Sequence, residues 1–193
     1  MIEEQSDPGG FDVYGDSDHA GCVITRKETT AVTVMHGKHC IRTYSNTQTE
    51  LGLSSEENEF SGIVKSTSVG IGMAQLAEDL GVKRWVRVHT NSSAALVMVK
   101  RKGLGKVRHI SLRFLWVQEK VQKGIVTVEK CPTDKMLADL GTKHLSAPRM
   151  RQLLKMLGYV YLEGRAAGMP KLVAGLGRGS ARKREAGPRK VSE

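Results

Sequence analysis

The spacing of apolar residues changes near Ser55, and this change limits the folds that the chain can adopt. Before Ser55, residues 11–16 alternate apolar and polar side chains, which predicts a β-strand. Residues 31–35 and 40–44 flank a turn at 36–39 and predict a β-hairpin. From Ser55 the apolar residues follow helical spacing instead, which predicts one long helix ending at Gly81. The first strands are therefore consecutive, and the first helix follows them.

Helices and strands alternate in the rest of the chain. The patterns predict strands at 85–89 and 125–131, and helices at 92–100, 111–123 and 148–157. A further helix is expected to open at Pro132 and to contain Met136, Leu137 and Leu140. We expect the helix at 111–123 to face the core through Leu112, Leu115, Trp116 and Val121. This order is typical of an α/β fold with a mixed sheet and helices on both faces.

Composition limits the domain count and the partners. The 193 residues suit one domain at 11–158, preceded by a flexible lead at 1–10 and followed at 159–193 by a Gly-, Arg- and Lys-rich tail that we expect to be disordered. The formal net charge of +10 favours a polyanionic partner, because each phosphate neutralised by Lys or Arg releases condensed counterions.

The cysteines and the apolar runs indicate the compartment. Cys22, Cys40 and Cys131 are odd in number and far apart, which predicts reduced thiols and a cytoplasmic or nuclear location. The acidic start is unlike a signal peptide, and no run reaches the roughly 20 apolar residues of a membrane span, so we expect a soluble protein with no membrane partner. His36, His39 and Cys40 fit a hairpin better than a zinc site, since a fourth ligand is absent.

Seven short motifs, several of them acidic, follow one another along the chain. The series is Asp16-Ser17-Asp18-x-Ala20-Gly21, Arg26-Lys27-x-Thr29, Leu53-Ser54-Ser55-x-Glu57-x-Glu59-Phe60, Asn91-x-Ser93-Ala94, Arg108-His109-Ile110, Glu119-Lys120-Val121 and Leu137-Ala138-Asp139-x-x-Thr142-Lys143. Over residues 11–158 it resembles the ribonuclease H domain that closes the Pol polyprotein of Copia-type LTR retrotransposons. The resemblance implies a ribonuclease H-like fold, whose five-stranded mixed sheet has its first three strands antiparallel. It also implies hydrolysis of the RNA strand of RNA–DNA hybrids with two Mg²⁺ or Mn²⁺ ions.

The resemblance assigns four positions to the catalytic site. Asp16, Glu59 and Asp139 match acidic positions of the family and are the implied metal ligands, because Mg²⁺ prefers oxygen donors. Thr90 stands where the family usually has Asp, in His89-Thr90-Asn91. A neutral hydroxyl removes one negative charge from a site for two dications. The alternative to an enzyme is therefore a catalytically inactive nucleic-acid-binding domain on the same fold.

Two more acidic residues have competing interpretations. Asp18 lies two residues after Asp16, on the same face of a continued strand, and could replace the lost carboxylate, although a loop acid is the more common role. Glu57 fits the helix N-terminus, where the helix dipole favours negative charge, better than it fits a catalytic role.

A basic stretch follows the helix at 92–100. We expect it to contact the phosphates of an RNA–DNA hybrid or another nucleic acid without reading sequence, because A-form duplexes are recognised largely by shape and backbone. Its candidate residues are Lys100, Arg101, Lys102, Lys106, Arg108 and His109. A solvated charged surface is the alternative interpretation. The reverse transcriptase portion of the same polyprotein is a further implied partner.

Overall fold

The computed structural model describes residues 4–18, 28–48, 55–101 and 112–160, except for the side chains of residues 55 and 56. The described residues contain a five-stranded sheet of β1 (Gly10–Asp18), β2 (Thr29–His36), β3 (His39–Thr47), β4 (Trp85–Thr90) and β5 (Val126–Lys130). The strand order is β3-β2-β1-β4-β5. β1, β2 and β3 are antiparallel, whereas β4 is parallel to β1 and β5 is parallel to β4. The predicted mixed sheet is confirmed.

The β2–β3 hairpin has a tight connection at Gly37 and Lys38. Gly37 has a φ of 61°, a conformation that glycine adopts without a Cβ clash. The side-chain amide of Gln5 donates to the His36 carbonyl at 2.8 Å and accepts from the Lys38 N–H at 2.8 Å. Part of the segment predicted as a flexible lead therefore contacts the hairpin.

Helices cover both faces of the sheet, as predicted. The helices are α1 (Ser55–Asp79), α2 (Ser93–Lys100), α3 (Leu112–Gln122), α4 (Asp139–Thr142) and α5 (Ala147–Met156). The main core joins β1 and β4 to α1, α2 and α3 through side chains such as Val13, Val88, Phe60 and Val117. On the other face, Leu137 and Leu153 pack with Met35 of β2. None of the helices in the described ranges is long and apolar enough to cross a membrane.

Glycines let α1 approach β1 closely. A Cβ at Gly15 would lie 1.9 Å from Ser66 Oγ, so a larger residue at this point of β1 would collide with the helix. On the helix side, a Cβ at Gly62 would lie 2.9 Å from Ser17 Oγ and 3.5 Å from the carbonyl carbon of Asp16. The contact brings the first half of α1 against the end of β1 that carries Asp16.

The predicted core face of α3 is partly wrong. Leu112 is 82% exposed, and Leu115 is only partly buried. Phe114 takes the central position instead, with its ring centroid 4.3 Å from that of Phe60 on α1. Val117, one turn later, is fully buried, and Trp116 and Val121 pack at the edge of the core. The Phe114–Phe60 contact therefore sets the rotation of α3.

The single helix predicted from Pro132 is also wrong. A 3-10 turn covers Thr133–Lys135, and α4 begins only at Asp139. Met136, between them, is extended, with φ −73° and ψ 98°. Met136 packs with Ala31 and Cys131, whereas Leu137 belongs to the separate cluster around Met35 and Leu153. Neighbouring side chains point in opposite directions on extended backbone. The break in the helix therefore lets Met136 and Leu137 pack into different clusters.

Substitutions at two glycines of α1 would test how closely the helix packs against the sheet. A Cβ at Gly70 would lie 2.5 Å from Val86 Cγ1, whereas a Cβ at Gly72 meets no atom within 4 Å. We expect Gly70→Ala to lower the free energy of unfolding by about 1 kcal/mol or more, because overpacking outweighs the gain in helix propensity. We expect Gly72→Ala to raise it by up to about 1 kcal/mol. Urea unfolding of both variants measures the difference, and equal stability would contradict the packing described above.

Candidate active site

Two buried carboxylates from distant parts of the chain meet on one face of the sheet. Asp16 lies on β1 and pairs with Ala31 of β2. A Cβ at Gly141 would lie 2.6 Å from Ala31 Cβ, so α4 packs directly on this face. Asp139 is the first residue of α4. The two acids are 6% and 3% exposed, respectively, so water provides little solvation for their charges.

Thr142 and Lys143 link the two acids. Thr142 Oγ1 donates to Asp16 Oδ2 at 2.5 Å. Lys143 Nζ donates to Asp139 Oδ1 at 2.5 Å and lies 3.3 Å from Asp16 Oδ2. Burial disfavours the charged ammonium, but the hydrogen bond to Asp139 and the charge of Asp16 outweigh it and raise the pKa of Lys143. Lys143 is therefore a cation shared by both carboxylates.

Arg149 of α5 binds the turn that precedes α4. Its Nη1 donates to the Asp134 carbonyl at 2.6 Å, and its Nη2 donates to the Thr133 carbonyl at 2.7 Å. The same Nη2 lies 3.5 Å from Asp139 Oδ2. The guanidinium thus fixes the 3-10 turn before α4 and places a second positive charge beside Asp139.

Glu59 lies in the first half of α1 and is partly buried. It precedes Gly62 by three residues, and residues three apart share a helix face. Since Gly62 contacts β1 next to Asp16, Glu59 lies one turn before the closest approach of helix and strand. Asn58 helps to hold this turn, because its side-chain amide donates to Oε1 of the buried Glu28, just before β2.

Thr90 is the last residue of β4 and is 2% exposed. Its Oγ1 accepts the Ser92 N–H at 3.1 Å, and Ser92 Oγ in turn accepts the Ala95 N–H at 3.1 Å as the N-cap of α2. Asp side chains form the same type of local turn, through a carboxylate oxygen. Thr90 Oγ1 therefore accepts the hydrogen bond that an Asp carboxylate would accept in this turn, but Thr90 carries no negative charge.

The remaining predicted residues are less closely connected. Asp18 ends β1, pairs with Thr29 and is partly buried, and Glu57 is partly buried in the first turns of α1. Lys100 is exposed at the end of α2, and the backbone N–H of Arg101 caps that helix by donating to the Val97 carbonyl. The predicted contacts at Lys102, Lys106, Arg108 and His109 lie outside the described residues.

The acidic pair fits a divalent cation in its chemistry. Both side chains offer hard oxygen donors of the type that Mg²⁺ prefers, and a cationic group of the chain already lies against both. Among the residues that the structure describes, no three His, Cys, Asp or Glu side chains gather into a metal-binding group. The structure thus brings Asp16 and Asp139 together, and Glu59 does not complete a cluster of three with them.

Sequence reasoning missed the roles of Lys143 and Arg149. Lys143 belongs to the last of the ordered motifs, and its position four residues after Asp139 is the spacing at which side chains on a helix meet. That spacing could have suggested an ion pair with Asp139, but no local pattern shows that the same ammonium also reaches Asp16. Lys130 was missed too: it pairs with Thr90 across β4 and β5, and its Nζ donates to Ser93 Oγ at 2.5 Å.

Comparison with known proteins gives Pol polyproteins of transposons among the relatives. No protein-family profile matches the chain. The chain is 26% identical over 148 residues to the Retrovirus-related Pol polyprotein from transposon TNT 1-94 of Nicotiana tabacum, covering 75% of this chain and 11% of that protein. It is 25% identical over 162 residues to the corresponding polyprotein from transposon RE2 of Arabidopsis thaliana, covering 82% of this chain and 11% of that protein. The chain thus spans about a tenth of these relatives.

A solved structure shares the fold. LC11-RNase H1, isolated from compost, superposes with a TM-score of 0.50 at 16% identity, over 69% of this chain and 93% of that one. The strand order and the parallel and antiparallel pairings define a ribonuclease H-like domain. The resemblance to retrotransposon Pol polyproteins in sequence is confirmed by these relatives.

Arg149 provides a test of how the site is held. We expect Arg149→Ala to lower the free energy of unfolding by about 1–3 kcal/mol, because it removes charged donors from the Thr133 and Asp134 carbonyls. Arg151→Ala is the matched control, since Arg151 is exposed on the same helix. Urea unfolding compares the two variants, and an equal effect of both would contradict a specific anchoring role for Arg149.

Proposed function

We propose that this domain is a metal-dependent endonuclease that hydrolyses the RNA strand of RNA–DNA hybrids, with activity weakened at Thr90. The observation that carries the proposal is the meeting of Asp16 and Asp139 around one cationic group, on a ribonuclease H-like fold. Two buried carboxylates that share a cation are an unusual arrangement for stability alone, because desolvating several charges is costly. A site selected for binding metal ions accounts for it.

The metal would be Mg²⁺ or Mn²⁺, held by Asp16 and Asp139 with Glu59 as the third carboxylate. When bound, such ions activate a water molecule and stabilise the leaving 3′ oxygen of the cut strand. The protein's own contribution would be to supply oxygen donors from β1, α1 and α4. The packing of Gly62 against the end of β1 supports Glu59 in this role.

Thr90 weakens the site through charge rather than shape. Its hydroxyl is engaged with the Ser92 N–H, so the turn after β4 forms as an Asp would form it. The missing negative charge lowers the attraction for divalent cations and the stabilisation of the transition state. Restoring a carboxylate at this position would therefore require little rearrangement of the backbone.

Thr90→Asp tests this account. We expect the variant to cleave a labelled RNA–DNA hybrid at least about tenfold faster than the wild type in Mg²⁺ or Mn²⁺, a difference equivalent to about 1.4 kcal/mol in the barrier. Thr90→Asn is the matched control, because asparagine has the size of aspartate without the negative charge. We expect no increase in the cleavage rate from this variant. Product formation on denaturing gels gives the rates.

Further variants of the same assay separate the outcomes. Asp16→Asn should abolish cleavage in both the wild-type and the Thr90→Asp backgrounds. A gain with Thr90→Asn equal to that with Thr90→Asp would contradict the charge argument. Absence of cleavage by the wild type and by Thr90→Asp would contradict the nuclease proposal itself.

The second candidate is a catalytically inactive domain that binds nucleic acid on the same fold. The neutral Thr90 at a position that is usually acidic favours it, and so does the net charge of +10. Cleavage by Thr90→Asp but not by the wild type would establish this candidate. In either case the proposed partners are an RNA–DNA hybrid or another nucleic acid and, by analogy with the polyprotein relatives, a reverse transcriptase portion.

Lys100 tests the binding surface apart from catalysis. It is exposed at the end of α2, close in sequence to the strand that carries Thr90. We expect Lys100→Gln to weaken hybrid binding and to reduce the slope of log K against log salt by about 0.7–0.9, the loss of one phosphate contact. Lys65→Gln, on an exposed position of α1, is the control with the same charge change. Fluorescence anisotropy at several salt concentrations measures both slopes, and equal slopes would contradict a contact at Lys100.

A further inference from the structure

The Lys143 ammonium occupies the position of a cation between two carboxylates. Its Nζ lies 2.5 Å from Asp139 Oδ1 and 3.3 Å from Asp16 Oδ2. The side chains of these two acids are only 4% and 5% exposed, so their charges are poorly screened by water. Without a cation between them, two such carboxylates would repel each other strongly.

Lys143 can leave this position more easily than the acids can. It follows the last residue of α4, and its side chain is 36% exposed, so a flexible stem reaches the acids from the solvent side. Asp16 is fixed by the β-ladder and by Thr142 Oγ1, and Asp139 is fixed in the first turn of α4. The acids form the rigid part of the arrangement, and the lysine forms its movable part.

We propose that Lys143 is an internal counter-ion that competes with the divalent metal for Asp16 and Asp139, so that metal binding displaces its ammonium from between them. This inference rests on the proposed function and goes beyond it, because it gives Lys143 a role in lowering the affinity for the metal. In the metal-free protein the ammonium keeps the acids together at α4. Arg149, also beside Asp139, adds a second positive charge that opposes the binding of a dication.

Direct metal binding tests the competition. Isothermal titration of Mn²⁺ into the full chain at neutral pH is compared for the wild type, Lys143→Gln and Lys143→Arg. We expect Lys143→Gln to bind Mn²⁺ at least about tenfold more tightly, because no ammonium has to be displaced. Lys143→Arg keeps a cation and should stay within about threefold of the wild type. Lys65→Gln, with the same change in net charge at an exposed position of α1, should match the wild type.

Thermal unfolding separates competition from a merely structural role. In EDTA we expect Lys143→Gln to melt at a lower temperature than the wild type, because the acids lose their counter-ion. Saturating Mn²⁺ should raise its melting temperature by more than it raises that of the wild type. Lys143→Met, which retains the aliphatic stem, provides a second neutral variant if the glutamine variant does not fold. Adding Asp16→Asn should remove the tight Mn²⁺ binding.

The outcomes distinguish this inference from the proposed function. Equal or weaker Mn²⁺ binding by the neutral Lys143 variants would overturn the inference, and so would the absence of Mn²⁺ binding in every variant. The nuclease proposal is judged separately, by hybrid cleavage. Tighter Mn²⁺ binding without any cleavage would therefore support the counter-ion role and contradict the nuclease.

Discussion

The Lys143 ammonium joins Asp16 at the centre of the sheet to Asp139 at the start of α4, and the arrangement of the site depends on this bridge. It connects a strand near the start of the chain to a four-residue helix near the end of the described region. A helix of this length is not stable alone, so its position comes from tertiary contacts. Thr142 supplies another of those contacts, to Asp16, and Arg149 binds the Thr133 carbonyl ahead of α4.

The opposite face of the sheet imposes a different kind of constraint. There, close packing between β1 and α1 brings the helix to the strand at Gly15 and Gly62, with the small side chain of Ser66 over Gly15 and that of Ser17 over Gly62. Glu59 lies one turn from this contact. The two faces of the sheet are thus covered by different means: ion pairing holds α4 on one side, and close packing holds α1 on the other.

Much of this arrangement could be predicted from the sequence. Alternation and helical spacing identified all five strands and the long helix, because each of these elements buries one face with a regular period. The sequence did not reveal the break at Met136, because an apolar run has the same composition whether it packs into one cluster or two. It also placed Leu112 wrongly, since the Phe114–Phe60 contact that rotates α3 is made to a distant helix.

The sequence predicted candidate residues of the site better than it predicted the contacts between them. The ordered motifs pointed to Asp16, Glu59, Thr90 and Asp139 as the candidate positions, and the structure brings Asp16 and Asp139 together around a lysine. A lysine that bridges two segments leaves no local signal beyond its spacing from the nearer acid. The same holds for the Thr90 hydroxyl, whose role as a turn acceptor depends on backbone geometry.

Anomalous scattering from a crystal soaked in saturating Mn²⁺ would show whether the metal displaces the Lys143 ammonium. We predict a manganese peak within bonding distance of Asp16 and Asp139, with the Lys143 ammonium no longer between them. A crystal soaked in saturating Mn²⁺ in which Lys143 still bridges both acids, and in which no manganese lies beside them, would contradict it.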